Sequence, residues 1–191
     1  MTGMNTILSG IDFGASSVAV AQQLIGATIL FDGVGGRIVE TEAYDMAEAA
    51  SHSFCGPTRR NASLFGPPGH AYVYLSHGIH WCLNVVCREA GHGAGVLIRA
   101  IEPRSGLALM QARRGTDDAR LLCSGPGRLG QALALCRAHD GLALDAAPFQ
   151  LIGCELPPEL VAGPRIGISK AMEVPWRFGL AGSRFLSRPF R

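Results

Sequence analysis

Glu40, Glu42 and Tyr44 stand two residues apart in the run Arg37-Ile38-Val39-Glu40-Thr41-Glu42-Ala43-Tyr44. Successive side chains of a strand point to opposite faces, so this spacing sets two carboxylates and a phenol on one side. A carboxylate in a partly buried cleft can take a proton from water and aim the resulting nucleophile at an electrophilic carbon. The plainer alternative is a solvated strand face. Context favours the cleft, because the row lies between an apolar helical segment and a histidine-bearing stretch, Ala49-Ala50-Ser51-His52-Ser53. At least one glutamate is therefore expected to line a cavity, and composition does not choose between them.

A second group is aromatic. Ala71-Tyr72-Val73-Tyr74-Leu75-Ser76 and Ile79-His80-Trp81-Cys82-Leu83-Asn84-Val85 both alternate, with His77-Gly78 between them, which is a hairpin signal. Such rings either pack in a core or form stacking platforms for a planar base, worth ~1–3 kcal/mol per base. A two-residue turn would set Tyr74 opposite Trp81; a three-residue turn would pair Tyr72 with Asn84 on the face of Tyr74. Both registers are open at this level.

Two further patterns carry less. His77, His80 and Cys82 are metal-ligand types, but their spacing matches no closed zinc pattern, and no metal is expected. Gly125-Pro126-Gly127-Arg128-Leu129-Gly130 fits GxGxxG, yet Leu121-Leu122-Cys123 is too short a preceding strand for a dinucleotide fold. A capped helix start explains these glycines better. Lys170 is the only lysine, a poor basis for Schiff-base chemistry, so water is the expected nucleophile.

The elements that must position these groups read as one mixed α+β domain over 1–191, built on a mostly antiparallel sheet. Residues 1–15 are expected to be less ordered. Ser16-Ser17 caps a helix that Gly26 stops; strands follow at about 27–32 and through Glu42. Residues 45–70 lack a period and form a long loop, of a length that is usually functional. A strand at 95–101 ends at Glu102-Pro103, helices cover 104–114 and 127–138, and short strands lie near 149–152 and 165–168.

The chain has 191 residues, with 48% hydrophobic content, enough for one ordinary core. No stretch approaches the ~20 apolar residues of a membrane helix, and the opening residues lack a leader pattern, so a cytoplasmic location is expected. The six cysteines form no CxxC pair and read as reduced, buried thiols. Net charge is +2, but residues 1–58 hold one arginine against six acids, whereas residues 59–191 are basic. An acidic edge beside a basic track suits a polyanion partner; a solvated arginine-rich tail is the alternative.

Taken in order, these landmarks resemble the alkyladenine (3-methyladenine) DNA glycosylases. The likeness also rests on Thr58-Arg59-Arg60-Asn61, Leu97-Ile98-Arg99-Ala100-Ile101-Glu102-Pro103, Leu122-Cys123-Ser124-Gly125-Pro126, Arg165-Ile166-Gly167-Ile168 and Trp176-Arg177-Phe178. It spans roughly residues 16–187. The resemblance implies a cofactor-free, monomeric base-excision enzyme on duplex DNA, with a curved sheet and a DNA-inserting hairpin. No membrane and no obligate protein partner are implied. Glu42 would be the general base, with Arg99 and the Ile166 carbonyl holding its water. Tyr44, His52 and Tyr74 would sandwich the extruded base, and Asn84 would reject guanine. His77 and Ile79 would form the wedge, His77 standing where the family usually has tyrosine. Thr58, Arg60 and C-terminal arginines such as Arg177 would contact the DNA backbone. A catalytically silent DNA-binding module of the same fold is the alternative.

Overall fold

The sheet is organised around the strand that carries the two glutamates. The computed structural model describes residues 10–190. In chain order the elements begin with α1 (Ser17–Leu24), β1 (Thr28–Phe31) and β2 (Val34–Asp45). β3 (Ala71–Ser76), β4 (His80–Val86) and β5 (Ala94–Ser105) follow, then α2 (Leu107–Arg114), α3 (Ala119–Leu122) and α4 (Pro126–Ala132). The chain closes with β6 (Phe149–Ile152), β7 (Leu160–Gly163) and β8 (Arg177–Leu180). The sheet runs β3-β4-β5-β2-β1-β6, every pair antiparallel, which establishes the α+β class.

β2 forks this sheet. Its first half pairs with β1, and residues Glu40, Thr41 and Glu42 pair instead with β8, which in turn pairs with β7. Along β5 the register slips three times, once between Gly35 and Gly36 and twice at Glu40: Ile38 faces Ile101 and Glu40 faces Ala100, then Thr41 faces Ile98. Val39 on one strand and Arg99 on the other are thus left as unpaired extra residues. Bulges of this kind bend a strand and re-aim side chains, and here they bracket Glu40. The opposite face of β2 closes on α1, where the Thr41 hydroxyl donates to the Ala21 carbonyl at 2.9 Å. Ser16 caps α1, accepting from the Ala19 amide, and Val20, Ala21 and Leu24 of α1 are buried. They join Ile29, Ile38, Ile98, Ile101 and Leu83 in one continuous core.

The structure differs from the sequence reading at several points. β5 runs through Pro103 because β4 covers only Gly95 to Leu97, leaving an edge where a missing amide hydrogen costs little. The helix expected over 127–138 stops at Ala132: Ala134 takes a left-handed conformation, φ 56°, and buried Leu135 turns into the core. Residues 165–168 form a loop, and the strands lie on either side of it. β8 is buried along its whole length, so it shows no alternation to read. Cys82, Cys87 and Cys123 are buried free thiols, but Cys55, Cys136 and Cys154 are exposed. No helix among the described residues is long and apolar enough to cross a membrane.

The GxGxxG glycines serve packing. α4 lies so close on β4 that a Cβ at Gly130 would sit 1.9 Å from the Trp81 carbonyl oxygen, and one at Gly127 would sit 2.7 Å from His80 Cγ. The preceding Leu121-Leu122 belongs to a single helical turn, so no strand-to-helix nucleotide cradle exists there. Backbone cannot yield as a flexible side chain can. Gly130→Ala should therefore lower unfolding free energy by at least about 2 kcal/mol in urea denaturation; an unchanged midpoint would mean α4 does not dock as described.

Candidate functional site

The hairpin register settles which side chains meet. Tyr72 pairs with Asn84, Tyr74 with Cys82 and Ser76 with His80, leaving His77, Gly78 and Ile79 as a three-residue tip. His77 and Gly78 both have positive φ, 51° and 71°, and the Ile79 amide closes the turn on the Ser76 carbonyl at 3.0 Å. Period-two alternation then brings Tyr72, Tyr74 and Asn84 to one face. The Tyr72 and Tyr74 rings stack with centroids 5.3 Å apart, and His52 meets Tyr74 edge-on at 4.6 Å. Asn84 is fixed by its own strand pair, its amide donating to the Tyr72 carbonyl at 3.1 Å.

These groups line a cleft of about 1140 Å³. Tyr44, His52, Tyr74, Asn84, Arg99 and Ile166 all contribute to its wall, as do Arg60 and His77 on the rim. A volume above the roughly 300–1,000 Å³ of small-molecule pockets suits a macromolecular substrate with one inserted group. Ile79, at the tip, is 70% exposed. Arg114, Arg128 and Lys170 line the cleft as well. Sequence reasoning did not place these three at the site, because they come from α2, α4 and the loop after β7, which only the tertiary fold brings to one mouth.

Neither glutamate faces the cleft directly, contrary to the expectation from spacing. Both are fully enclosed. Glu42 lies just beneath the floor: Oε2 accepts from the Tyr44 hydroxyl at 2.8 Å and from Arg99 Nη1 at 3.3 Å, while Oε1 accepts from the Ile166 amide at 2.7 Å. Tyr44, Arg99 and Ile166, its three partners, are themselves cleft-lining. Glu40 lies deeper, bonded to Arg99, Arg177 and Ser187. The structure thus separates two carboxylates that the sequence left equivalent.

Of the expected backbone contacts, Arg177 is turned inward, and Thr58, though exposed, has its hydroxyl already engaged. Arg177 is buried, its Nε donating to Glu40 Oε1 at 2.7 Å, so a phosphate does not reach it. The Thr58 hydroxyl donates to Asn61 Oδ1 at 2.8 Å. That bond serves a loop staple: Asn61 also donates to the carbonyls of His52 and Gly56, ordering the long 45–70 segment. Arg60 remains exposed, with Nη2 on the Leu75 carbonyl at 3.0 Å. Arg165, expected in a motif and in the basic C-terminal run, is 5% exposed and sits behind Tyr44, its guanidinium 4.7 Å from that ring and paired with Glu48 at 2.8 and 2.9 Å.

Burial holds the tyrosines of the site in defined states. It raises Tyr44 far above the ordinary phenol range, with the Glu42 carboxylate adding to the effect, so Tyr44 remains a donor. Burial likewise raises Tyr74, and lifts Tyr72 to about 12. His52 moves the other way: burial, then the nearby Arg60 charge, lowers it below the ordinary imidazole value. Among the described residues no cluster of three or more His, Cys, Asp or Glu side chains converges as a metal site would require.

The cleft thus combines an aromatic wall with a buried carboxylate–arginine pair beneath its floor. Comparison with known proteins gives the class. The chain belongs to the methylpurine-DNA glycosylase family, whose profile matches residues 12–184. It is similar to a protein of Nitrosospira multiformis, 68% identical over 181 residues, covering 95% of this chain and 94% of that one. A Rhodopseudomonas palustris protein is 64% identical over 178 residues, covering 93% and 89% of the two chains. A Rhizobium meliloti protein is 60% identical over 188 residues, covering 98% and 100%. Each is named, provisionally, a 3-methyladenine DNA glycosylase. The chain is therefore a hydrolase of N-glycosyl bonds in DNA base-excision repair.

The lowered His52 value has a pH consequence. An unfolded histidine titrates near ~6.5, and the folded protein binds that proton less readily. This stabilisation is fully present above ~6.5 and declines as pH falls below it, through the lower folded value. NMR titration of the His52 ring should give a midpoint below ~6.5 that rises in Arg60→Ala. A midpoint at or above ~6.5 in the wild type would contradict the environment described.

Proposed function

We propose that the protein extrudes an alkylated or deaminated purine from duplex DNA and hydrolyses its glycosidic bond with a water activated by Glu42. The observation that carries this is the position of Glu42 under the aromatic cleft, held at once by Tyr44, Arg99 and the Ile166 amide. A glycosidic carbon inside the duplex stack is out of reach, so the nucleotide must swing out before chemistry. Tyr44, His52 and Tyr74 are the surfaces between which the base stacks. Electron-rich rings favour a cationic alkylated purine, and a neutral His52 adds no repulsion.

The water oxygen forms a bond to C1′ as the C1′–N bond breaks. The bonding pair leaves with the purine nitrogen, neutralising a cationic lesion, and the water proton passes to Glu42. The carboxylate also faces the positive charge that develops on the sugar. Arg99 keeps it oriented, and the Ile166 carbonyl is the proposed second acceptor for the water. In the free protein the Tyr44 hydroxyl covers Glu42 Oε2. Seating a base on the Tyr44 ring is then the step that moves this hydroxyl aside and admits the water.

Selectivity and extrusion draw on the hairpin. With its amide nitrogen fixed on Tyr72, Asn84 cannot turn away from a guanine 2-amino group and excludes it. Ile79 and His77, exposed at the tip, fill the gap left in the stack, as apolar wedges do in kinked duplexes. Arg60 on one side, and Arg114, Arg128 and Lys170 elsewhere around the mouth, would meet the phosphates.

Duplexes carrying 3-methyladenine, 7-methylguanine, 1,N6-ethenoadenine or hypoxanthine test this reading. Wild type should release free base and leave an alkali-labile abasic site. Glu42→Gln should slow release by at least about 100-fold while binding the same duplexes. Release that survives the substitution would remove Glu42 from the chemistry; binding without release by wild type would mark a silent module.

A further inference from the structure

Glu40 is a buried charge that takes no part in the steps above. Arg99 links it to the one that does. Arg99 Nε lies 3.3 Å from Glu40 Oε1, and Nη1 lies 3.3 Å from Glu42 Oε2. Both contacts are longer than the roughly 2.7–2.9 Å of a full charge-assisted bond. The guanidinium is therefore shared between two carboxylates rather than committed to one.

The remaining acceptor positions of Glu40 are filled by the end of the chain. Arg177 Nε donates to Oε1 at 2.7 Å, the Ser187 hydroxyl donates to the same oxygen at 2.8 Å, and the Ser187 amide donates to Oε2. That segment is held in turn. Arg177 Nη2 donates to the Arg188 carbonyl, and the Phe190 ring covers the Arg177 guanidinium at 3.9 Å. Neither Glu40, Arg177 nor Ser187 lines the cleft.

We propose that Glu40 is a positioning residue for base excision, setting the direction of Arg99, and that residues 184–190 form a strap which locks Glu40 in that role. The inference rests on the assignment of Glu42 as the general base. With Nε anchored on Glu40, the planar guanidinium has one orientation, and it touches Glu42 through a single nitrogen. Without Glu40, Arg99 swings fully onto Glu42 as a two-pronged pair and occupies the lone pair that must take the water proton. The chemical step slows, whereas DNA affinity is untouched, because nothing in the strap reaches the cleft.

A purely structural clasp would lower stability without slowing the folded enzyme. The discriminating measurement is single-turnover base release from methylated duplex DNA, enzyme in excess and rates taken per folded molecule. Binding is followed with a duplex holding a tetrahydrofuran abasic-site analogue. Glu40→Gln is expected to slow release about 100-fold, with the dissociation constant within about 2-fold of wild type. Ser187→Ala, which removes one hydrogen bond and keeps both carboxylates, is expected to slow it about 5-fold with the same split. In an Arg99→Gln background, Glu40→Gln should add less than about a further 2-fold, since the effect runs through Arg99. The proposal is overturned if Glu40→Gln releases base at the wild-type rate, if its loss lies in binding, or if the Glu40 and Arg99 losses multiply. Wild type releasing no base from any duplex would overturn this inference together with the function it rests on; wild-type release that Glu40→Gln leaves unslowed overturns this inference alone.

Discussion

Arg99, shared between two enclosed carboxylates, is the constraint on which the rest of the structure depends. Removing ions from water carries a penalty of several kcal/mol each, offset only when every lone pair and hydrogen finds a partner. Here two glutamates and two arginines lie together out of solvent, and the fold supplies the partners from distant segments. Tyr44 comes from the same strand, the Ile166 amide from the loop after β7, and Ser187 from the end of the chain. The fork of the sheet at β2 makes this possible, since β8 brings Arg177 alongside Glu42 and the paired bulges bring Arg99 from the other side.

The aromatic wall depends on that constraint indirectly. Tyr44 is held at its hydroxyl by Glu42 and at its ring face by Arg165, which is itself fixed between Glu48 and the Ala43 carbonyl. The opposite wall is a property of the hairpin register, and the tip residues stand beyond it, free of the core. Rigid walls with an exposed tip are what a site needs when it must hold a planar group in one orientation and also displace it from a stack.

Much of this was legible in the chain, and the residues show why. Period-two spacing placed Glu40, Glu42 and Tyr44 together, and the capped start and glycine stop of α1 are local signals that Ser16 and Gly26 obey. The hairpin was readable, but its register was not, because His77-Gly78 suits a two- or three-residue turn and only packing chooses. The difference between Glu40 and Glu42 was invisible for a similar reason: it comes from Ser187, 147 residues away from Glu40. Clustered arginines read as a basic track, yet Arg165 and Arg177 are internal, since charge counts do not reveal which cations a fold buries. β8 left no alternation because it is buried along its length, and β7 because its four residues are mostly only partly covered.

The central claim is that an extruded purine sits on Tyr44 with its sugar over Glu42. It is tested most directly by the structure of Glu42→Gln bound to an uncleaved duplex containing 1,N6-ethenoadenine. The expected result is the base between Tyr44 and the His52–Tyr74 pair, with the Tyr44 hydroxyl moved off residue 42 and a water against that side chain, facing C1′. A base still stacked in the duplex, or seated in the cleft with C1′ turned away from residue 42, would contradict it.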